Sequence, residues 1–141
     1  MMQRSQSLSS RRQHGMSLLE LVVVIVLIGG VLAVVGSRLI GGKDRANFNL
    51  AKTQLQTLSG KIEQYEMDVG GLPEALDNLA TAPGNSPNWL GPYAKASEFN
   101  DPWGRPIEYR RPGQNGPFEL VSLGADGQPG GDSVNQDIRV P

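Results

Sequence analysis

The densest set of metal-ligating atoms in this 141-residue chain lies in its tail, where Asp126, Asp132, Asn135 and Asp137 fall within twelve residues and glycines let the backbone fold back between them. All of these side chains offer oxygen. Calcium takes roughly six to eight hard oxygen ligands, some of them main-chain carbonyls, in a flexible loop. The same residues also suit a solvated acidic turn, because Asp-Gly pairs such as Asp126-Gly127 mark turns in many settings. The spacing is not that of an EF-hand, which needs acidic or amide residues at alternate positions and a closing glutamate.

A second chemical feature is a carboxylate in the wrong solvent. Glu20 stands near the start of an apolar run, Leu21 to Val35, and with Met16 to Leu19 added this run approaches the ~20 residues a helix needs to cross a bilayer. A charge there is costly unless it finds a partner or snorkels to the interface. Ahead of the run lies a polar segment with Arg4, Arg11, Arg12 and His14 and no acidic residue. Three arginines on that side place the rest of the chain across the membrane by the positive-inside bias. The residues alone also fit a secretory signal cut at small residues near Val34-Val35-Gly36-Ser37, or an anchor that is never cut.

Other chemistries are poorly provided for. There is no cysteine and a single histidine, His14, in the basic segment, so beyond it thiol and imidazole sites are excluded. Serines without a histidine or paired lysine give no plausible nucleophile. Glu108 and Glu119 fall in or beside strand candidates, where a carboxylate pair is common on a solvated sheet face. The formal charge of −1 becomes −4 once the three leader arginines are set aside, which argues against a nucleic-acid surface.

These groups need elements to hold them. From Lys43 the pattern turns amphipathic: Ala51, Leu55, Leu58, Ile62, Tyr65 and Val69 step by four and three, one apolar stripe on a helix. Gly70-Gly71 supplies its stop and Pro73 follows. A helix continuous from Met16 to Val69 would be about 80 Å long at 1.5 Å per residue. Only part of that length can be buried in its own subunit. Gly29, Gly30, Gly36, Gly41 and Gly42 are weak points, each costing ~1 kcal/mol against alanine. Pro73 to Leu79 predicts a one- to two-turn helix with proline at its first position. Thr81 to Pro92 predicts a loop with Trp89 packed beneath it. Asp101 to Pro106 predicts a turn, followed by strands at Ile107 to Arg111, Phe118 to Leu123 and Ile138 to Val140. The fold class is therefore α+β: a long N-terminal helix on a small antiparallel β-sheet, with a loop-rich tail.

The order of basic leader, Gly15, Met16 and apolar helix, with Glu20 five residues past the glycine, resembles the class III signal of type IV pilins and pseudopilins. Asp101-Pro102-Trp103-Gly104, Ile107-Glu108-Tyr109, Pro112-Gly113 and Ser122-Leu123-Gly124-Ala125-Asp126-Gly127 extend the resemblance to the major pseudopilins of bacterial type II secretion, from Gly15 onward. In that family the usual first mature residue is phenylalanine, and Met16 departs from it. A proline common near Gly36-Ser37 is also missing.

The resemblance implies a structural filament subunit and no enzyme. Prepilin peptidase would cut after Gly15 and methylate Met16, dividing the chain into a leader (1–15), a transmembrane and filament-core helix half (16–42) and a periplasmic domain (43–141). The implied partners are copies of itself, membrane lipid, minor pseudopilins and an inner-membrane assembly platform. Glu20 would pair with the Met16 α-amino group of an adjacent subunit. Calcium would be held by Asp126 first, then Asp132 and Asp137, with Asn135 and the Leu123 carbonyl. Lys43, Asp44 and Arg45 would meet either neighbouring subunits or head groups and water. The alternatives are a type IV pilin, for which the lack of a C-terminal disulfide is unfavourable, a minor pseudopilin, and a membrane-tethered monomeric calcium-binding module.

Overall fold

The computed structural model describes residues 15–141, so the basic leader, with Arg4, Arg11, Arg12 and His14, lies outside the described residues. A single long helix, α1, runs Leu18–Val69 and is 52 residues long. It passes without interruption through Gly29, Gly30, Gly36, Gly41 and Gly42, so the five expected weak points do not break it. It stops where the sequence predicts: Gly70 turns to φ 91° and its N–H still reaches the Glu66 carbonyl at 2.8 Å. The chain divides after Leu39 into two units.

In the N-terminal part α1 has no cover. Side chains from Leu18 to Val35 range from 37% exposed at Val24 to 80% at Leu18, a degree of apolar exposure that water does not tolerate. By length and composition this stretch can cross a membrane.

The second part, Ile40–Pro141, folds around the stripe read from the sequence. Ala51, Leu55, Leu58, Ile62 and Tyr65 are all buried, while Val69 is half-buried against the same cluster. Their cover is an antiparallel sheet of three strands in the order β1 (Glu108–Arg110), β2 (Glu119–Ser122), β3 (Ile138–Val140). Tyr109 pairs with Leu120 and Leu120 with Val140. This puts Leu120, fully buried, at the centre of the face turned to the helix. β1 and β2 are each shorter than the apolar runs suggested, whereas β3 has the expected bounds.

Two local expectations need correction. The expected one- to two-turn helix is the short 3₁₀ helix Leu76–Leu79, which begins after Pro73 rather than at it. The Asn78 side-chain oxygen accepts the Glu74 and Ala75 N–H groups at 3.1 Å each, tightening the turn before it. Glu119 is not on a solvated face. It is 4% exposed, because Arg110 opposite it and Arg139 from β3 cover it, with nearest N···O separations of 3.9 and 3.6 Å. Further 3₁₀ helices, Ala96–Phe99 and Ser133–Asn135, carry no periodic signal in the sequence. Trp89 packs as expected, half-buried, its indole N–H donating to the Asn78 carbonyl at 2.9 Å.

Candidate processing, assembly and cation sites

Gly15 and Met16 precede the helix, and both are exposed. A peptide bond in that state is accessible to a protease. The first turn of α1 carries Glu20, where the free N–H groups and the helix dipole favour a carboxylate. Glu20 is exposed and has no ion pair among the described residues. Gly15, Met16 and Glu20 thus cluster at one helix end, and nothing described in this chain neutralises the acid.

The tail is a closed loop rather than a loose end. Ala125 N–H donates to the Val134 carbonyl at 2.9 Å, Asn135 N–H to the Asp132 carbonyl at 3.0 Å, and Asp137 N–H to the Gly130 carbonyl at 3.2 Å. Glycine is required where it doubles back. A Cβ on Gly131 would sit 2.5 Å from the Asn135 carbonyl oxygen, and Gly131 also has φ 83°.

The expected ligands are placed unequally within this loop. One Asp126 oxygen accepts the Gln128 N–H at 3.1 Å, in an exposed position. Asp132 is exposed and its side chain makes no capping bond at the head of Ser133–Asn135. Asp137 is already engaged: one oxygen accepts the Gly130 N–H at 3.0 Å and the other meets Arg139 at 3.2 Å. Asn135 and Leu123 are half-buried at the base of the loop. Among the described residues no group of three acidic side chains converges on one point. Calcium draws on main-chain and amide oxygens as well as carboxylates. Asp126, Asp132, Asn135 and the main chain fit such a donor set. Asp137, as arranged, fits the role of holding the loop.

The structure adds a member that the sequence reading missed. Arg105 donates to the Gly124 carbonyl at 2.8 Å and to the Ala125 carbonyl at 3.0 Å, fixing the entrance of the tail. It is set in place by Asp101, buried, whose Oδ1 accepts the Trp103 and Arg105 N–H groups while Oδ2 accepts the Ser122 hydroxyl. The visible signal was an aspartate four residues before an arginine around Gly104. What that arginine reaches is invisible without the fold.

Residues 38–141 match the family described as type II secretion system (T2SS), protein G, and residues 10–36 match the prokaryotic N-terminal methylation motif. The chain belongs to the protein G family of type II secretion. The type II secretion system core protein G of Xanthomonas campestris pv. campestris is 59% identical over 141 residues, covering 99% of each chain. That of Pseudomonas aeruginosa is 36% identical over 135 residues, covering 91% of this chain and 94% of its relative. The crystal structure of the major pseudopilin from the type 2 secretion system of enterohaemorrhagic Escherichia coli superposes with a TM-score of 0.56 at 27% identity. That match covers 72% of this chain and 91% of the other.

In this protein G chain the perturbed titrating groups do not suit acid–base catalysis. The Lys61 ammonium and the Lys95 N–H hold the Glu98 carboxyl below its usual range, and burial pushes the Tyr65, Tyr93 and Tyr109 phenols up. Both changes move the groups away from neutral pH, where a general acid or base works best. Lys61 and Glu98 form a bridge from α1 to the 3₁₀ helix Ala96–Phe99, beside Gln54, whose amide donates to the Glu98 and Asn100 carbonyls at 2.9 and 2.6 Å. These contacts hold the fold together.

Proposed function

We propose that this chain is the major structural subunit of a type II secretion pseudopilus, a helical filament that drives folded proteins through the outer membrane. The observation that carries this reading is the coincidence, in one chain, of the methylation motif, an uncovered apolar helix half and a family match over the whole of the remainder. The apolar half serves first as a single-pass inner-membrane anchor, with the domain from Lys43 in the periplasm. It then exchanges lipid for the helices of neighbouring copies. Prepilin peptidase cuts after Gly15 and methylates Met16. Minor pseudopilins and an inner-membrane platform direct assembly. The role is mechanical, and it calls for no catalytic residue.

Mass analysis of the membrane form tests the processing route. The expected mature chain has 126 of the 141 residues and begins at N-methylated Met16. A chain that retains its leader, or one cut near Gly36, removes the filament reading, because the apolar half would then be lost or left with an unprocessed end.

Calcium is the proposed ligand of the tail, held by Asp126 and Asp132 with Asn135 and the Leu123 carbonyl while Asp137 braces the loop. In a chain without disulfides such an ion would supply the cross-link. A ligand that binds only the folded form stabilises it by mass action. Adding EDTA to the domain from Lys43 should lower its melting temperature by several degrees, and calcium should restore it where magnesium does not. A melting curve indifferent to both ions rejects the site.

A further inference from the structure

We propose that Arg105 is the positioning residue of the tail's cation loop and that, through Asp101 and Trp103, it ties the state of that loop to α1 at Asp44. The first half rests on the cation reading above, whereas the tie to α1 rests on contacts within the chain itself.

Arg105 is fixed at its backbone before it reaches the tail. Its N–H donates to Asp101 Oδ1 at 2.9 Å and its carbonyl accepts the Asp101 N–H at 2.8 Å, closing a ring around Gly104, which turns to φ 83°. The other Asp101 oxygen accepts the Ser122 hydroxyl at 2.9 Å. The guanidinium then takes the Gly124 and Ala125 carbonyls. Leu123, whose carbonyl is an expected ligand, is thereby bracketed, with Ser122 before it and Gly124 after it both fixed from one turn. The loop also wraps closely around the side chain: a Cβ on Gly127 would lie 2.5 Å from Arg105 Nε. A Cβ on Gly124 would lie 2.8 Å from the Gln136 carbonyl oxygen, so the entrance of the loop is pressed against its return beside Asn135. Moving the guanidinium moves donors on both sides.

The charge of Arg105 shows that geometry is its use here. It is half-buried, makes no ion pair among the described residues, and its guanidinium bonds only to neutral carbonyls. A fixed positive charge beside a cation site opposes binding by repulsion. Its planar fork, however, meets two carbonyls at once in a preorganised way.

The same network ends on the long helix. The Trp103 N–H shares Asp101 Oδ1 at 3.1 Å, and its indole N–H donates to Asp44 Oδ1 at 3.2 Å. Asp44 is half-buried on α1, just after Gly41 and Gly42, where helix propensity is low. A satisfied polar network of this kind responds as a unit, and coupling between its two ends is reciprocal. Closing the tail loop therefore restrains the turn of α1 that carries Asp44.

The test uses the full-length chain in detergent micelles, with calcium affinity measured by competition against a fluorescent chelator and hydrogen exchange followed by mass spectrometry. Arg105→Gln should raise the calcium Kd by about tenfold, and Arg105→Lys should recover part of the loss. Repulsion alone gives the opposite sign, so a Kd that falls or stays unchanged in Arg105→Gln overturns the positioning role; unaltered exchange from Ala51 to Tyr65 shows that the variants fold. In the wild type, calcium should slow exchange from Asn100 to Ile107 and around Asp44 by about fivefold. Trp103→Phe should lose the protection at Asp44 and keep it in the tail. Protection confined to the tail in the wild type overturns the tie to α1 and leaves the cation site standing. A wild-type chain that takes up no calcium overturns the cation reading and the positioning role together. The tie is then read from Gly131→Ala, which strains the loop open: faster exchange at Asp44 supports it, and unchanged exchange overturns it.

Discussion

Glu20→Ala should yield a chain that still enters the membrane and is still cut after Gly15, yet forms no filament. Glu20 lies in the first turn of α1, exposed, at the head of an apolar run and without an ion pair among the described residues. Alanine there makes the segment more apolar, so insertion improves if it changes at all. Cleavage as proposed depends on Gly15 and Met16, which are untouched. In the proposed filament, where helices from several copies replace lipid, Glu20 would leave the reach of water and need a positive group. The group that processing would create is the α-amino group of Met16. Removing one partner of a buried pair leaves the other charge stranded and costs about 3 to 5 kcal/mol. A filament repeats that loss at every contact. The measurement is the crosslinked ladder in membranes, with mass analysis of the processed N-terminus from the same sample. A processed Glu20→Ala chain with a normal ladder means that the carboxylate merely reaches the interface and has no part in alignment.

The second large effect is on the domain itself. Leu120→Ala should destabilise the unit Ile40–Pro141 by about 3 kcal/mol, within the usual range for a buried leucine truncated to alanine. Leu120 is fully buried on the middle strand, opposite Tyr109 on one side and Val140 on the other, in one cluster with Leu55 and Ile62. Packed from both neighbouring strands and the helix, the hole cannot easily collapse. For a domain of this size each kcal/mol moves the midpoint by about 4 to 8 °C, so a fall of roughly 12 to 24 °C is expected. Thermal unfolding followed by circular dichroism measures it. A drop of only two or three degrees would mean that helix and sheet do not share one core.

What could be read beforehand followed the range of the interactions. The buried stripe from Ala51 to Tyr65 announces itself because the helical repeat writes it into neighbouring positions. The end of α1 was equally plain in Gly70. The methylation motif was legible because it occupies consecutive residues, 10–36. β1 and β2 were found but drawn too long, since apolar runs do not record where the ladder stops. Glu119 was misread because its cover comes from Arg110 and Arg139, which only the sheet register brings beside it. The tail's acidic and amide residues were visible in composition, but not that Asp137 would be engaged by Gly130 and Arg139, nor that Arg105 would hold the entrance. Those contacts join segments about twenty residues apart or depend on a loop closing, and no local pattern encodes them.

β3 comes after the tail loop in the chain, so the third strand can seat on β2 only when that loop has closed. The loop therefore works as a latch on a seam. A cut near Gly130, or anything else that springs it, unzips β3 and bares the row of backbone N–H and carbonyl groups along the outer margin of β2. Such an open margin recruits any extended strand that passes. Damage to a polar, solvent-facing loop would thus surface as stickiness between molecules rather than as loss of the helix core.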